Sequence, residues 1–214
     1  MFFQTDEQQH AFAASIDAAL GAADMPAAIR AWAAGDGAPG RKVWAQLADL
    51  GVTALIVPEE FDGFAAHPVD LVVAAERLGR WCVPGPVTES IAVAPVLLAS
   101  HDHGAERSAA LASGELIATV AMPPQVSRAV DADSAGLILV AADGKVSDGI
   151  AGEPVDSVDP SRKLFDVKAS GDAQPADVAR AFEFGVLVTA AQLVGAGQAL
   201  LDMSVEYAKQ RSQF

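Results

Sequence analysis

Few residues in this chain have the types and spacing that chemistry needs. Glu59, Glu60 and Asp62 crowd carboxylates into the loop Glu59-Glu60-Phe61-Asp62-Gly63, which is raw material for paired acid–base work. In so acidic a chain, a solvated loop face explains them more simply. His101-Asp102-His103 offers ligand types, but in a loop and with no third or fourth partner in view, so no metal site is expected. Cys82 is the only cysteine, which excludes an intrachain disulfide. It has no histidine or basic cluster beside it in sequence and reads as a buried, inert thiol. No Ser/His/Asp set and no phosphate-binding P-loop stands out. Val186 to Val194 followed by Gly195-Ala196-Gly197 invites comparison with a strand entering a dinucleotide-binding turn. Leu200 occupies the third glycine position, however, and the apolar periodicity continues straight through the glycines.

That periodicity defines the element around which the other residues must be arranged. Phe182, Val186, Thr189, Leu193, Ala196, Leu200, Met203 and Tyr207 recur in steps of three and four, the spacing of one helix face. Gln192, Asp202, Glu206, Lys209 and Gln210 form a polar stripe. Pro175 breaks the chain ahead of the run, Asp177 is placed to cap it, and Lys209 and Arg211 suit the negative end of the helix dipole. A helix this long extends roughly 50 Å at ~1.5 Å per residue. Its first half is apolar or small nearly all round, as in a helix enclosed by others. Gly195 and Gly197 would allow a close helix–helix approach, at a propensity cost of about 1 kcal/mol each.

The upstream chain divides into two textures. Up to Gly114 the signals are helical: a Thr5–Gln8 capping box, then Ala27 to Ala34, Lys42 to Leu50 stopped by Gly51, Pro68 to Arg80, a run from Thr88 kinked by Pro95, and Ala105 to Ala112. Val52 to Val57 reads as extended. Beyond Gly114, Leu116 to Met122, Gly136 to Ala141 and Leu164 to Val167 are short β-rich runs between turn signals. The expected fold is therefore mainly α with a small β portion: helical over 1–114, β over 115–174, and helical again over 175–214.

Composition narrows the function. A net charge of −14 leaves no basic stripe to neutralise phosphates, which excludes nucleic acid as a partner. The start, MFFQTDEQQ, lacks a basic n-region, and no run approaches the ~18 apolar residues of a membrane span. With its lone cysteine the chain reads as a cytoplasmic protein without a membrane partner.

The order of elements and several phrases resemble the acyl-CoA dehydrogenase family. The matching words are Thr5-Asp6-Glu7-Gln8, Val57-Pro58-Glu59-Glu60-Phe61 and Glu76-Arg77-Leu78-Gly79-Arg80. Asp159-Pro160-Ser161-Arg162-Lys163-Leu164 resembles a phrase of actinobacterial members. The most specific is Glu206-Tyr207-Ala208-Lys209-Gln210-Arg211-Ser212-Gln213-Phe214, similar to a family signature whose arginine reaches the diphosphate and adenine side of FAD, usually in a neighbouring subunit. The resemblance implies an N-terminal helical domain, a reduced middle β-domain and the first long helix of a C-terminal bundle. It implies FAD as cofactor, with Arg211, Gln213 and Phe214 as cofactor-binding residues. Arg211 would supply a planar charged fork, Gln213 an amide and Phe214 a ring. It also implies an acyl-CoA substrate, with a fatty-acyl or sterol side chain, and α,β-desaturation in lipid metabolism.

Three departures limit what carries over. Where the family holds the flavin with a Thr-Glu-Pro-like, Gly-Ser-containing loop, this chain has Ala121-Met122-Pro123-Pro124-Gln125, and Gln125 to Asp159 looks too short for the usual strands. The family's usual catalytic glutamate falls beyond Phe214, and its alternative position falls at about Gly185. Glu183 is turned roughly 200° away at ~100° per residue, so no catalytic base is assigned. Finally, a lone long helix would leave a large apolar face uncovered. The expectation is a chain that is not competent alone and works in a homo- or hetero-oligomer with another acyl-CoA dehydrogenase subunit, FAD being bound mainly by that partner. A non-catalytic structural subunit and a helical interaction module unrelated to flavin are the alternatives.

Overall fold

The computed structural model describes residues 4–99 and 104–211. Helix α1 (Glu7–Ala22) starts at Asp6, whose carboxylate accepts from Gln9 N–H while the Gln9 amide answers the Asp6 N–H. The capping box thus begins one residue later than expected. Thr5 Oγ1 pairs with His10 Nε2 instead, leaving the stronger charged acceptor to cap the helix. α2 (Met25–Ala33) and α3 (Ala38–Asp49) follow, and Gly51 ends α3 at φ +80°. α4 (Pro68–Arg80) has the bounds its sequence predicts and buries Leu71, Ala74, Ala75 and Leu78. These meet Ile16 and Leu20 of α1 and Val43 and Leu47 of α3 in the main core.

Val52 to Val57 is not extended. It begins as a single 3-10 turn, Val52–Ala54, and the carbonyls of Ala54, Leu55 and Val57 accept from Phe64, Ala66 and Ala65 of the returning loop. Those loop bonds satisfy the backbone locally, so no sheet is needed. The run after Thr88 is irregular, as Pro95 demands. Glu89–Val93 winds as a π-helical turn in which Ala94 N–H reaches back to Glu89 C=O, before the short α5 (Ala94–Leu98). α6 (Gly104–Ala112) completes this helical part.

A five-stranded mixed sheet follows, ordered β1-β3-β4-β5-β2, with β1 (Ala118–Ala121) parallel to β3 (Leu137–Ala142) and the other pairs antiparallel. Asp143-Gly144, both at positive φ, make the tight turn from β3 into β4 (Lys145–Val155). β5 (Leu164–Pro175) runs far past the apolar residues that announce it, and β2 (Arg128–Val130) covers its outer edge. The segment from Gln125 to Asp159 is therefore long enough to carry β2, β3 and β4. The two edge strands also meet: Thr119 Oγ1 of β1 donates to Val130 C=O of β2 at 2.7 Å.

α7 (Val178–Gln210) is one continuous 33-residue helix, capped by Asp177, which accepts from Arg180 N–H. The strand-and-turn reading of its glycines is excluded. α7 crosses α4 so closely that a Cβ on Gly195 would overlap the Glu76 carbonyl, and one on Gly79 would overlap the Gln192 backbone. Gly197 takes no part, having open space around its missing side chain. Arg80 of α4 adds an ion pair to Asp202 at 2.7 Å. Ala181, Val188, Ala191 and Gly195 are buried, whereas Leu193, Leu200, Leu201, Met203 and Tyr207 are largely exposed. Contrary to the sequence reading, α7 has the length and mean hydropathy that could cross a membrane.

Candidate functional site

α7, the π-helical turn and the end of β1 enclose a cleft of about 460 Å³, the size of a small-molecule site. Val93 comes from the π turn, Val120 from β1, Met122 from just beyond it, and Phe182 and Leu193 from α7, so the lining is mostly apolar. Gly185 faces inward: its Cβ would stand 3.1 Å from Val93 Cγ2, so any larger residue would encroach on the cavity.

A buried clasp fixes the wall between helix and sheet. Ser90 Oγ donates to Ala118 C=O at 2.7 Å and accepts from Ala118 N–H at 2.9 Å, which pairs the outer edge of β1 with the π turn. Thr88 Oγ1 donates to the Gln192 side chain at 3.3 Å, tying the same turn to α7. Between them stands Glu89, the only ionisable residue lining the cleft among the described residues. Burial holds its carboxyl above the ordinary range. Its own backbone N–H and the charge of Arg162 pull it back down, and Asp131 adds a push upward. In sequence Glu89 is only the second residue of the helical run that starts at Thr88. The one visible hint was Pro95 six residues on, which breaks the regular ladder there.

A second residue that sequence reasoning missed is Asp131, 1% exposed. It accepts from Trp32 Nε1 at 3.1 Å and from Lys163 N–H at 2.8 Å, pinning α2 to the sheet. Burial raises its carboxyl too, against those two donors.

The expected site residues fare differently. Arg211 follows α7 in an extended, exposed conformation, with its guanidinium 5.8 Å from the Tyr207 ring centroid. Gln213 and Phe214 lie outside the described residues, as do His101, Asp102 and His103. Glu183 lines a neighbouring cleft with Asp143, Gly144 and Asp177 rather than the apolar one, as its position on the helix predicts. Glu59, Glu60 and Asp62 are exposed. Cys82, expected to be buried, is exposed: it follows the C-terminus of α4 at φ +49°, just ahead of buried Val83.

The loop beyond β1 decides whether this chain could hold an isoalloxazine ring. Met122 and Val126 spend their N–H and C=O groups on each other, at 2.6 and 2.9 Å, and Pro123 and Pro124 have no N–H. Gln125 is the remaining polar side chain of the loop facing the clefts. This donor set does not fit a flavin ring held by these residues alone.

Comparison with known proteins bears on the same residues. The family described as acyl-CoA dehydrogenase, N-terminal domain, matches residues 6–115, just over half of the chain. Acyl-CoA dehydrogenase IpdE2 of Mycobacterium tuberculosis is 29% identical over 192 residues, covering 88% of this chain and 60% of its own length. Its namesake from Mycolicibacterium smegmatis is 31% identical with the same coverage. An acyl-CoA dehydrogenase from Bacillus anthracis, solved with FAD, superposes with a TM-score of 0.76 over 99% of this chain and 46% of its own, at 14% identity. The chain thus spans about 60% of the length of these curated mycobacterial relatives.

Proposed function

This chain belongs to the acyl-CoA dehydrogenase family, and from that premise we propose that the apolar cleft beside Glu89 receives the acyl group of an acyl-CoA during FAD-dependent α,β-desaturation. The observation that carries this reading is the cleft itself: hydrocarbon-lined, roofed by α7, and kept open by Gly185. Fatty-acyl and sterol side-chain thioesters are the substrates its lining suits, which makes this a protein of cytoplasmic lipid metabolism.

The chain does not perform the reaction alone. Gly185 offers no carboxylate, and Glu183 faces the other cleft, so neither position supplies a base to the acyl pocket. The loop after β1 does not fit the flavin ring, so FAD is held mainly by another acyl-CoA dehydrogenase subunit. The exposed apolar side of α7 supports such a neighbour. Arg211, Gln213 and Phe214 would be lent to that subunit's cofactor, the arginine as a fork for its diphosphate.

The poor donor set of the loop and the missing base also support a second reading, a structural subunit that binds neither flavin nor substrate. Co-expression with a genomic neighbour, followed by a flavin count per subunit, separates the two. Loss of flavin from the complex on Arg211→Ala supports the first. A fully active, fully flavinated complex carrying Arg211→Ala supports the second.

A further inference from the structure

We infer that Gln125 holds the thioester carbonyl of the acyl-CoA, at the neck where the apolar cleft opens into the cleft beside Glu183. The inference rests on the acyl-cleft reading and adds to it the residue that sets where the thioester stops.

The apolar cleft has a neighbour of about 560 Å³ between the β3–β4 turn and the start of α7. Met122, Gln125 and Phe182 line both, so the two clefts meet at these residues. An acyl group in the first therefore has a continuous path for its pantetheine arm into the second. Along that path the walls change from mainly hydrocarbon to a lining that includes Asp143, Asp177 and Glu183. The amides of the arm suit the second cleft as the hydrocarbon chain suits the first. Its carboxylates repel phosphate, so the diphosphate end of CoA lies beyond it. The thioester then falls at the neck. A carbonyl leaving water there costs free energy unless a donor replaces the water. Met122 has already given its N–H to Val126, Pro123 and Pro124 have none, and the Phe182 side chain is hydrocarbon. Gln125 is left, with two N–H groups on its amide and no partner among the described residues. The Met122–Val126 pair closes the loop on both sides of it, which holds the amide at the neck. A donor fixed there sets how far the acyl chain enters the apolar cleft. A smaller cleft of about 260 Å³ also adjoins the apolar one, through Thr189 and Leu193, and makes the Thr189 hydroxyl the competing donor.

The test is calorimetric binding of octanoyl-CoA and of its thioether octyl-CoA, which has no carbonyl, to the protein in its native assembly. The wild type should bind the thioester about tenfold more tightly. Gln125→Leu should bring the two affinities together by weakening octanoyl-CoA and leaving octyl-CoA within about twofold. Gln125→Glu, which keeps the shape and withdraws the donor, should also remove the preference. Gln125 is exposed in the free protein, so both variants should fold. An affinity ratio unchanged in both overturns the inference, as does a wild type without the preference. Loss of the preference in Thr189→Val, with Gln125 in place, assigns the carbonyl to the junction with the smaller cleft and overturns it too. If neither ligand binds the wild type, the acyl-cleft reading fails and the inference falls with it.

Discussion

Two glycines two residues apart on α7 should respond to the same substitution with opposite sign. At Gly195 a methyl group would enter the backbone of α4, overlapping the Glu76 carbonyl and lying 3.0 Å from the Arg80 nitrogen. Backbone atoms have no rotamer to retreat into, so α7 and α4 must move apart. Overpacking of this kind costs about 1–3 kcal/mol. The better helix propensity of alanine returns about 1 kcal/mol. Gly195→Ala should therefore destabilise by up to a net ~2 kcal/mol, a fall in Tm of up to roughly 8 °C for a domain of this size. At Gly197 nothing lies within 4 Å of the missing Cβ, so alanine brings the propensity gain alone. Gly197→Ala should stabilise by ~0.5–1 kcal/mol. Gly79→Ala, which would strike Gln192 from the other side, should be less than additive with Gly195→Ala, since one separation relieves both. Urea denaturation of the singles and the double provides the assay. Stabilisation by Gly195→Ala equal to that of Gly197→Ala would refute the close crossing of α7 and α4.

Other consequences are open to direct measurement. Ser90→Ala leaves the fully buried Ala118 amide without its partners and should cost about 1–3 kcal/mol in denaturation, with weaker ligand binding in the cleft as the wall loosens. Trp32→Phe removes one of two donors to buried Asp131 and should cost about 1–3 kcal/mol, read the same way. Asp131 and Glu89 both have raised carboxyls, so the folded state binds their protons more tightly than the unfolded one. Their contribution to stability is fully present below the unfolded values, 3.8 for Asp131 and 4.5 for Glu89, and is lost as pH rises through the raised folded values. Glu89→Gln should flatten that part of a stability–pH curve without shifting its acid end.

Much of the frame is legible in the residues because local signals and tertiary demands agree. α4 obeys its Pro68 start and its apolar spacing, and α7 obeys Asp177 and a three-four repeat sustained from Phe182 to Tyr207. Disagreements arise where distant partners decide. β4, rich in glycine, charge and proline, has no strand pattern of its own and exists because β3 and β5 pair with it. Val52 to Val57 has strand-like residues, but the loop returning through Phe64 to Ala66 takes up its carbonyls. Glu89 looks like any helix-start acid until α7, some ninety residues later, closes over it. Gly195 and Gly197 are indistinguishable in sequence, and only the path of α4 tells them apart.

The most direct test of the acyl cleft is a photometric titration of the flavin-bearing assembly with an acyl-CoA it oxidises, comparing wild type with Gly185→Leu. Leucine at 185 projects toward Val93 and fills the cavity while leaving Arg211 and the far end of α7 untouched. The account predicts that the wild-type assembly bleaches, whereas the variant stays folded and yellow and does not bleach at the same thioester concentration. Bleaching of Gly185→Leu along the wild-type curve would contradict it.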